Sequence, residues 1–171
     1  MNRTKAGAIA PVFFVVQPSG SSDDQGFEIE EEFRSVTVTV VHRLPDPEVF
    51  LALRKAGGLG RFSLEAAKAG LPRSLFCVML EIDGNAIGMG RLVGDGACSV
   101  QIDDIVVVPE HQGKGYGRLI MQELMDYISE NVPDTAYVNL LADVPANKLY
   151  EKFGFRETAP VTIGMAFKKG M

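Results

Sequence analysis

Hydrophobic and polar residues alternate through the middle of the chain in the way that is typical of β-strands. Four segments there are rich in Val, Ile, Leu and Thr, a composition that favours extended structure: Val36 to Val41, Leu75 to Ile82, Ala86 to Val93, and Ser99 to Val108. The turn signals Asp83-Gly84-Asn85 and Asp95-Gly96 separate the last three segments and predict antiparallel hairpins. Ser99 to Val108 is apolar on both faces near its end, which predicts a central strand covered on both sides.

Other segments repeat their apolar residues at helical spacing. Four helices are predicted on this basis: from Pro47 to Gly57, from Leu64 to Leu71, from Gly115 or Gly117 to Ser129, and from Pro145 to Phe153. Asp46 and Ser63 precede the first two helices and are residue types that cap helix N-termini.

Two more strands complete the pattern, Ala136 to Leu141 and Val161 to Lys168. The predicted order is therefore strand, two helices, three antiparallel strands, helix, strand, helix, strand. This order predicts an α/β fold in which helices flank a mixed, mostly antiparallel central sheet.

The N-terminal region has a different pattern from the rest of the chain. The apolar run Ala6 to Val16 contains Pro11 and is about half the ~20 residues that span a bilayer. Residues 17–26 read as a linker because they are rich in Gly, Ser and Asp. We therefore predict an N-terminal arm or linker over residues 1–26, with a possible added strand, and one domain over residues 27–171.

Composition and charge narrow the function classes. The chain has 171 residues and a formal net charge of −5, which argues against nucleic-acid binding as the main task and leaves a cationic substrate open. No segment predicts a membrane span. Cys77 and Cys98 are too few for a disulfide framework or a cysteine metal cluster. We expect no metal and a cytoplasmic location.

The stretch Ile102 to Gly117 carries the clearest chemical signal. A strand is followed by a short loop, and the glycines Gly113, Gly115 and Gly117 open a helix. Unpaired N–H groups at such a turn and at the positive end of the helix dipole form an anion site suited to a phosphate or pyrophosphate. The spacing matches neither the dinucleotide-binding nor the P-loop pattern.

Two motifs resemble the GCN5-related N-acetyltransferase (GNAT) family. Gln112, Gly115 and Gly117 match that family's Gln/Arg-x-x-Gly-x-Gly/Ala signature. The stretch from Asn147 through Tyr150 to Gly154-Phe155 is similar to a second block of the family. The resemblance runs from about Val36 onward and includes the order of the elements.

The resemblance implies acetyl-coenzyme A (acetyl-CoA) as the acyl donor. Its diphosphate is expected on the backbone N–H groups of Gln112 to Gly117, and its pantetheine arm along the backbone of Ile105 to Val107. In the family the central strand diverges from the next strand, here Ala136 to Leu141, and the donor enters the gap. The full set of expected donor-binding residues is Ile105, Val106, Val107, Gln112, Gly113, Lys114, Gly115, Tyr116, Gly117, Asn147 and Tyr150.

The resemblance also implies catalytic roles. Tyr150 matches a position used as general acid toward the departing thiolate; the alternative is a core tyrosine. Asn147 is a donor ligand or a residue that starts its helix. Asp103 matches a position used as base, and Asp104 is then structural, because consecutive strand residues are expected to face opposite sides.

The predicted function is acetyl transfer from acetyl-CoA to a primary amine by direct attack in a ternary complex. A small cationic metabolite is the first acceptor class, and a protein N-terminal or lysine amine is the second. A non-catalytic acyl-CoA sensor or interaction module is the alternative. A homodimer is possible, since dimers are common in the family, although no interface is readable.

Overall fold

The computed structural model describes residues 12–15, 37–167 and 169. Their six strands form one sheet in the order in which they occur along the chain: β1 Val12–Val15, β2 Thr37–Val41, β3 Phe76–Ile82, β4 Asn85–Gly94, β5 Ser99–Val107 and β6 Tyr137–Leu140. Strands β1 to β5 pair antiparallel with their neighbours, and β6 is parallel to β5. The predicted mixed, mostly antiparallel sheet is confirmed.

The helices lie close to their predicted positions: α1 Pro47–Ala56, α2 Leu64–Gly70, α3 Tyr116–Asn131 and α4 Asn147–Tyr150. The Ser63 hydroxyl caps α2 by accepting a hydrogen bond from the Ala66 N–H at 3.2 Å. Asp46 makes no such side-chain bond to α1. The fourth helix begins two residues later than predicted and tightens into a 3₁₀ turn, Glu151–Phe153, which ends at Gly154 with a φ of +87°.

Apolar residues cover both faces of the sheet. Helix α3 packs on one face through Ile120, Met121 and Leu124, which form what we call the α3 core with strand residues such as Val100. The other face packs on α1 and α2 and forms what we call the α1 core, whose buried residues are Phe50, Leu53, Ala67, Leu71, Cys77, Met79, Met89 and Val106. The adjacent residues Val106 and Val107 belong to different cores, so β5 is the predicted central strand.

The predicted last strand is wrong over the residues that the structure describes. Residues 161–167 form a turn and an irregular segment without strand pairing. Four apolar residues alternate there, Val161, Ile163, Met165 and Phe167, and they are 70% to 92% exposed. Alternation produces a strand when a sheet face is available to bury one side, and no such face covers these side chains in the described residues.

The N-terminal prediction is tested only in part. Strand β1 pairs with β2 at one edge of the sheet, whereas residues 1–11 and 16–36 lie outside the described ranges. The boundary at residue 26 and the linker over residues 17–26 therefore stay predictions. Within the described ranges, no helix has the length and apolar character that crossing a membrane requires.

Candidate functional site

A gap opens beside the C-terminal half of β5. Strand β6 pairs with β5 only from Ser99 to Ile102, although β5 continues to Val107. Residues 103–107 therefore have a strand partner on one side alone, β4, among the residues that the structure describes. The gap lies where the resemblance placed the donor's pantetheine arm.

A β-bulge lies at the start of this gap. Met89 pairs with Val106 and Arg91 with Asp103, so that Gly90 faces two residues of β5. Asp104 is one of these two and has a φ of +55°. Because a bulge bends and twists its strand, this one contributes to the divergence of β5 from β6.

Backbone groups of β5 face the gap. The Val108 N–H donates to the Ile87 carbonyl of β4 at 2.9 Å, and the direction of these groups alternates along a strand. The N–H and C=O of Val107 therefore point away from β4. The Gln112 side-chain amide donates to this Val107 carbonyl at 2.9 Å, which ties the following loop to the end of β5 and leaves the Val107 N–H available to a bound group.

The loop after β5 presents a continuous run of backbone donors. In the described part of the chain, no backbone carbonyl accepts a hydrogen bond from the N–H groups of residues 113–118; the first bond of α3 runs from the Leu119 N–H to the Gly115 carbonyl at 3.1 Å. The expectation that this run includes the Gln112 N–H is wrong, because that group donates to the Pro109 carbonyl at 3.2 Å. The run begins one residue later and extends to Arg118.

The three glycines of the loop differ in backbone conformation and in what a side chain at each position would contact. Gly113 and Gly115 have φ values of +76° and +85°, a conformation that strains other residues, and a Cβ on either would meet no atom within 4 Å. Space above the loop is therefore open to a ligand. A Cβ on Gly117 would lie 3.4 Å from the Leu149 side chain of α4, which is an ordinary van der Waals contact. Tyr116 is buried, and Lys114 is exposed.

Unpaired donors, open space and the dipole of the 16-residue helix α3 fit the diphosphate of acetyl-CoA. The amide groups of the pantetheine arm of acetyl-CoA need hydrogen-bond partners of the kind that the open β5 edge offers. No cluster of three or more metal-ligating side chains occurs in the ranges that the structure describes.

Asn147 and Tyr150 lie together on α4. Both line a cavity of about 370 Å³ between β6, α4 and residues 155–164. The Asn147 amide nitrogen donates to Glu151 at 3.1 Å, and its Oδ1 is buried without a hydrogen-bond partner. Tyr150 packs against the α3 core; burial, and secondarily the negative charge of Asp143, raise the pKa of its hydroxyl.

The carboxylates of Asp103 and Asp104 lie on the same side of the sheet. The expectation that they face opposite sides is wrong because the bulge interrupts the alternation: Arg91 contacts both carboxylates. Asp104 has a fully buried side chain held between Arg54 and Arg91. Asp103 is 37% exposed; its Oδ2 lies 3.5 Å from Arg91, and its Oδ1 accepts the Asp104 N–H at 2.9 Å.

Arg54 and Arg91 did not emerge from the sequence patterns. Arg54 lies on the buried face of α1 with Phe50 and Leu53. An arginine at a core position of an amphipathic helix is unusual, and this position could have identified Arg54 from the sequence. Burial lowers the pKa of Arg54, but an arginine in a protein stays charged. Its buried positive charge requires a carboxylate partner, which Asp104 supplies.

The predicted residues thus form separate groups. The gap joins Ile105 to Val107 with the loop that follows, whereas the 370 Å³ cavity includes Tyr150 and neither of these segments. Tyr150 packs on the α3 core, while the arginine that holds Asp103 lies near Phe50 of the α1 core. The predicted acid and base therefore lie on opposite faces of the sheet.

Comparison with known proteins agrees with this geometry. The model of the acetyltransferase (GNAT) domain family matches residues 72–157, which include the central strand, the glycine loop and α4. A solved Staphylococcus aureus structure, described as a "Probable Acetyltransferase" of unknown function, is 46% identical; the match covers 77% of this chain and 98% of that one, with a TM-score of 0.74.

Two curated relatives match over shorter stretches. The chloroplastic GCN5-related N-acetyltransferase 2 of Arabidopsis thaliana is 33% identical over 69 residues, 40% of this chain and 26% of the relative. The [Ribosomal protein bS18]-alanine N-acetyltransferase of Haemophilus influenzae is 29% identical over 72 residues, 39% of this chain and 49% of the relative. The alignments span only a quarter to a half of these relatives. The family model matches half of the chain, and we conclude that this chain belongs to the GCN5-related N-acetyltransferase family.

Proposed function

We propose that this protein transfers the acetyl group of acetyl-CoA to a primary amine by direct attack within a ternary complex. The observation that carries the proposal is the open edge of β5, which ends at a loop with six consecutive N–H groups, residues 113–118, that no described backbone carbonyl accepts. An extended chain that ends in a diphosphate satisfies both features.

Different residues bind different parts of acetyl-CoA. The N–H groups of residues 113–118 hold the diphosphate, and the β5 edge from Ile105 to Val107 pairs with the amides of the pantetheine arm. The buried Asn147 Oδ1 lacks a donor partner and accepts a hydrogen bond from an amide N–H of the donor. The Val107 N–H faces the gap and stabilises negative charge on a carbonyl oxygen placed there.

Acetyl-CoA supplies an activated thioester, and the chain manages two protons around it. The acceptor amine attacks only as the neutral base, and the partly exposed Asp103 carboxylate takes up its proton. Tyr150 donates the phenol proton to the departing thiolate sulfur. Because burial raises the pKa of Tyr150, the hydroxyl keeps its proton at neutral and moderately alkaline pH.

The acceptor that we propose first is a small metabolite with a primary amine. The prediction of a cationic metabolite depends on the single domain and on the net charge of the whole chain, and the charges that line an acceptor site are a more direct criterion. A protein amine is the second candidate, since the Haemophilus relative is named for an alanine of a ribosomal protein.

We further propose a cytoplasmic location, because an exposed free thiol such as Cys98 suits a reducing compartment. Homodimerisation stays a prediction.

The direct test is thiol release from acetyl-CoA in the presence of an amine panel, with the acetylated product identified by mass spectrometry. The panel contains polyamines, amino sugars, amino acids and peptides with free N-termini. Amine-dependent thiol release above the amine-free control supports the enzyme. Binding of acetyl-CoA without release for any amine contradicts it and favours a non-catalytic acyl-CoA sensor.

A further inference from the structure

A second cavity of about 300 Å³ lies beside α1, and we call it the α1 cavity. Its wall contains three cationic side chains, Arg54, Lys55 and Arg61, together with apolar ones that include Leu51 and Phe62. No carboxylate is part of the wall that the structure describes. The cavity therefore combines positive charge with an apolar surface.

The positive charge of the α1 cavity is only partly compensated. Arg54 is paired with the buried Asp104 carboxylate. Lys55 and Arg61 are exposed, and within the described residues neither forms an ion pair with a carboxylate. Two cations thus remain for a ligand in a chain whose overall charge is −5, so the local field has the opposite sign to the average.

Arg54 gives the cavity a fixed wall. Its Nε and Nη2 donate to the Gly60 carbonyl at 3.1 and 2.8 Å, which holds the loop after α1. The Phe62 ring lies over the Arg54 guanidinium, with 4.2 Å from Cζ to the ring centroid, and is 49% exposed. A large aromatic side chain held at the surface by a buried arginine is preorganised to contact a ligand.

The loop that forms the cavity starts at the open part of β5. Gly57, at the C-terminal end of α1, packs so closely on Val106 that a Cβ would overlap its side chain. Leu59 to Phe62 follow within five residues. Arg54 reaches the same strand through Asp104. The wall of the cavity is therefore anchored to β5 at Asp104 and Val106, the strand that also carries Asp103.

We propose that the α1 cavity binds an acidic group of the acceptor, so that the preferred acceptors are primary amines that also carry a carboxylate or a phosphate. Lys55 and Arg61 form charge-assisted hydrogen bonds with the oxyanion, and Phe62 and Leu51 contact the apolar part of the molecule. This inference rests on the proposed acetyl transfer and replaces the expectation of a purely cationic metabolite.

Matched acceptor pairs provide the test. Each pair differs only in the acidic group: an amino acid and the amine that lacks its carboxylate, and an amino sugar phosphate and the free amino sugar. We expect kcat/KM for the acidic member to exceed that of its partner by about tenfold in at least one pair, the effect of one charged hydrogen bond. The carboxylate and phosphate pairs distinguish the two oxyanions.

Variants assign the preference to the cavity. The double variant Lys55→Gln, Arg61→Gln is expected to lower kcat/KM about tenfold for the acidic member and to leave kcat/KM for the member without the acidic group unchanged. Lys68→Gln, Arg73→Gln removes the same charges from exposed positions outside the cavity wall and is expected to change neither.

The contrary outcomes separate the two proposals. Acetyl transfer without a preference for the acidic member in any pair overturns this inference alone, as does a preference that survives the Lys55→Gln, Arg61→Gln double variant. Failure of every amine to release thiol overturns the proposed function as well. Equal losses for both members of a pair also contradict a role in recognising the acid.

Discussion

Tyr150 combines a polar hydroxyl with a packed ring, and this combination determines what it can do. The ring contacts the α3 core, while the side chain also lines the cavity that contains Asn147. Tyr150 can therefore be both a core residue and a proton donor. The effect of losing its hydroxyl on kcat shows whether it donates a proton.

Replacing Tyr150 by Phe removes the hydroxyl and keeps the ring. If the hydroxyl protonates the departing thiolate, kcat should fall by about 100-fold or more, with little change in KM for acetyl-CoA. Tyr127→Phe is the matched control, because among the described residues the Tyr127 hydroxyl donates a hydrogen bond to the Leu75 carbonyl alone, at 3.4 Å. An unchanged kcat in Tyr150→Phe would remove the acid role.

The pH profile offers an independent test of the same hydroxyl. Burial and the charge of Asp143 raise the Tyr150 pKa, so the protonated form persists above the ordinary tyrosine value of about 10. Activity that depends on this proton should be retained as pH rises and be lost only beyond that value. A loss of activity that begins below pH ~10 in the native protein and is absent in Tyr150→Phe would contradict this assignment.

The two cysteines should differ in reactivity. Burial raises the pKa of Cys77 to about 12, which suppresses the reactive thiolate, whereas Cys98 is exposed. Iodoacetamide at neutral pH should label Cys98 in the native protein and both thiols after denaturation. Mass spectrometry of tryptic peptides checks this, and rapid native labelling of Cys77 would show that its core packing opens readily.

At the scale of elements, a buried cluster of charged side chains lies at the bulge in β5. Asp104 has a φ of +55° and lies between Arg54 and Arg91 with no exposed side-chain surface. This arrangement joins α1, β4 and β5 at the point where the gap begins. Loss of the carboxylate leaves two arginines without their buried partner.

Asp104→Asn is therefore expected to destabilise the fold by about 3–5 kcal/mol, the usual effect of removing one partner from a buried ion pair. Asp103→Asn is the neighbouring control and should lower the free energy of unfolding by about 1 kcal/mol or less, since its carboxylate is partly exposed. Urea unfolding measures both. Equal effects would mean that Asp104 has no special role in the bulge.

Most elements were predictable because their patterns are local. Ser63 before Leu64, the hairpin turn at Asp83-Gly84 and the helical spacing after Gly115 each determine structure over a few residues. The glycines of β4, among them Gly90, indicate a bulge or a close backbone approach. They do not determine the direction of Asp104, because its partners Arg54 and Arg91 are distant from it in sequence.

The C-terminal segment shows that a local pattern alone does not determine a strand. Alternating apolar residues from Val161 to Phe167 favour a strand, yet a strand also needs a neighbour with free backbone groups and a face to cover.

The donor loop was predictable from its glycines, but the hydrogen bond from the Gln112 N–H to Pro109 was not, because glycine spacing does not determine which N–H groups remain free.

For the molecule as a whole, the gap between β5 and β6 lies between the two faces of the sheet, and each face carries one of the two proposed catalytic residues. The α3 face contains Tyr150, and the α1 face contains Arg91, which holds Asp103. The family match begins at residue 72, after α1, α2 and the α1 cavity. Donor binding therefore lies in the matched part, and the proposed acceptor specificity lies in the part that precedes it.

Donor binding at the glycine loop is the central claim, and titration calorimetry with acetyl-CoA tests it most directly. We expect saturable binding by the native protein and about tenfold weaker binding by Gly115→Ala, because a non-glycine residue at a φ of +85° strains the loop by about 1–2 kcal/mol. Gly70→Ala, at a site with open space and an ordinary helical φ of −85°, should bind like the native protein. No binding by the native protein, or equal affinity in Gly115→Ala, would contradict the assignment of this loop as the acetyl-CoA site.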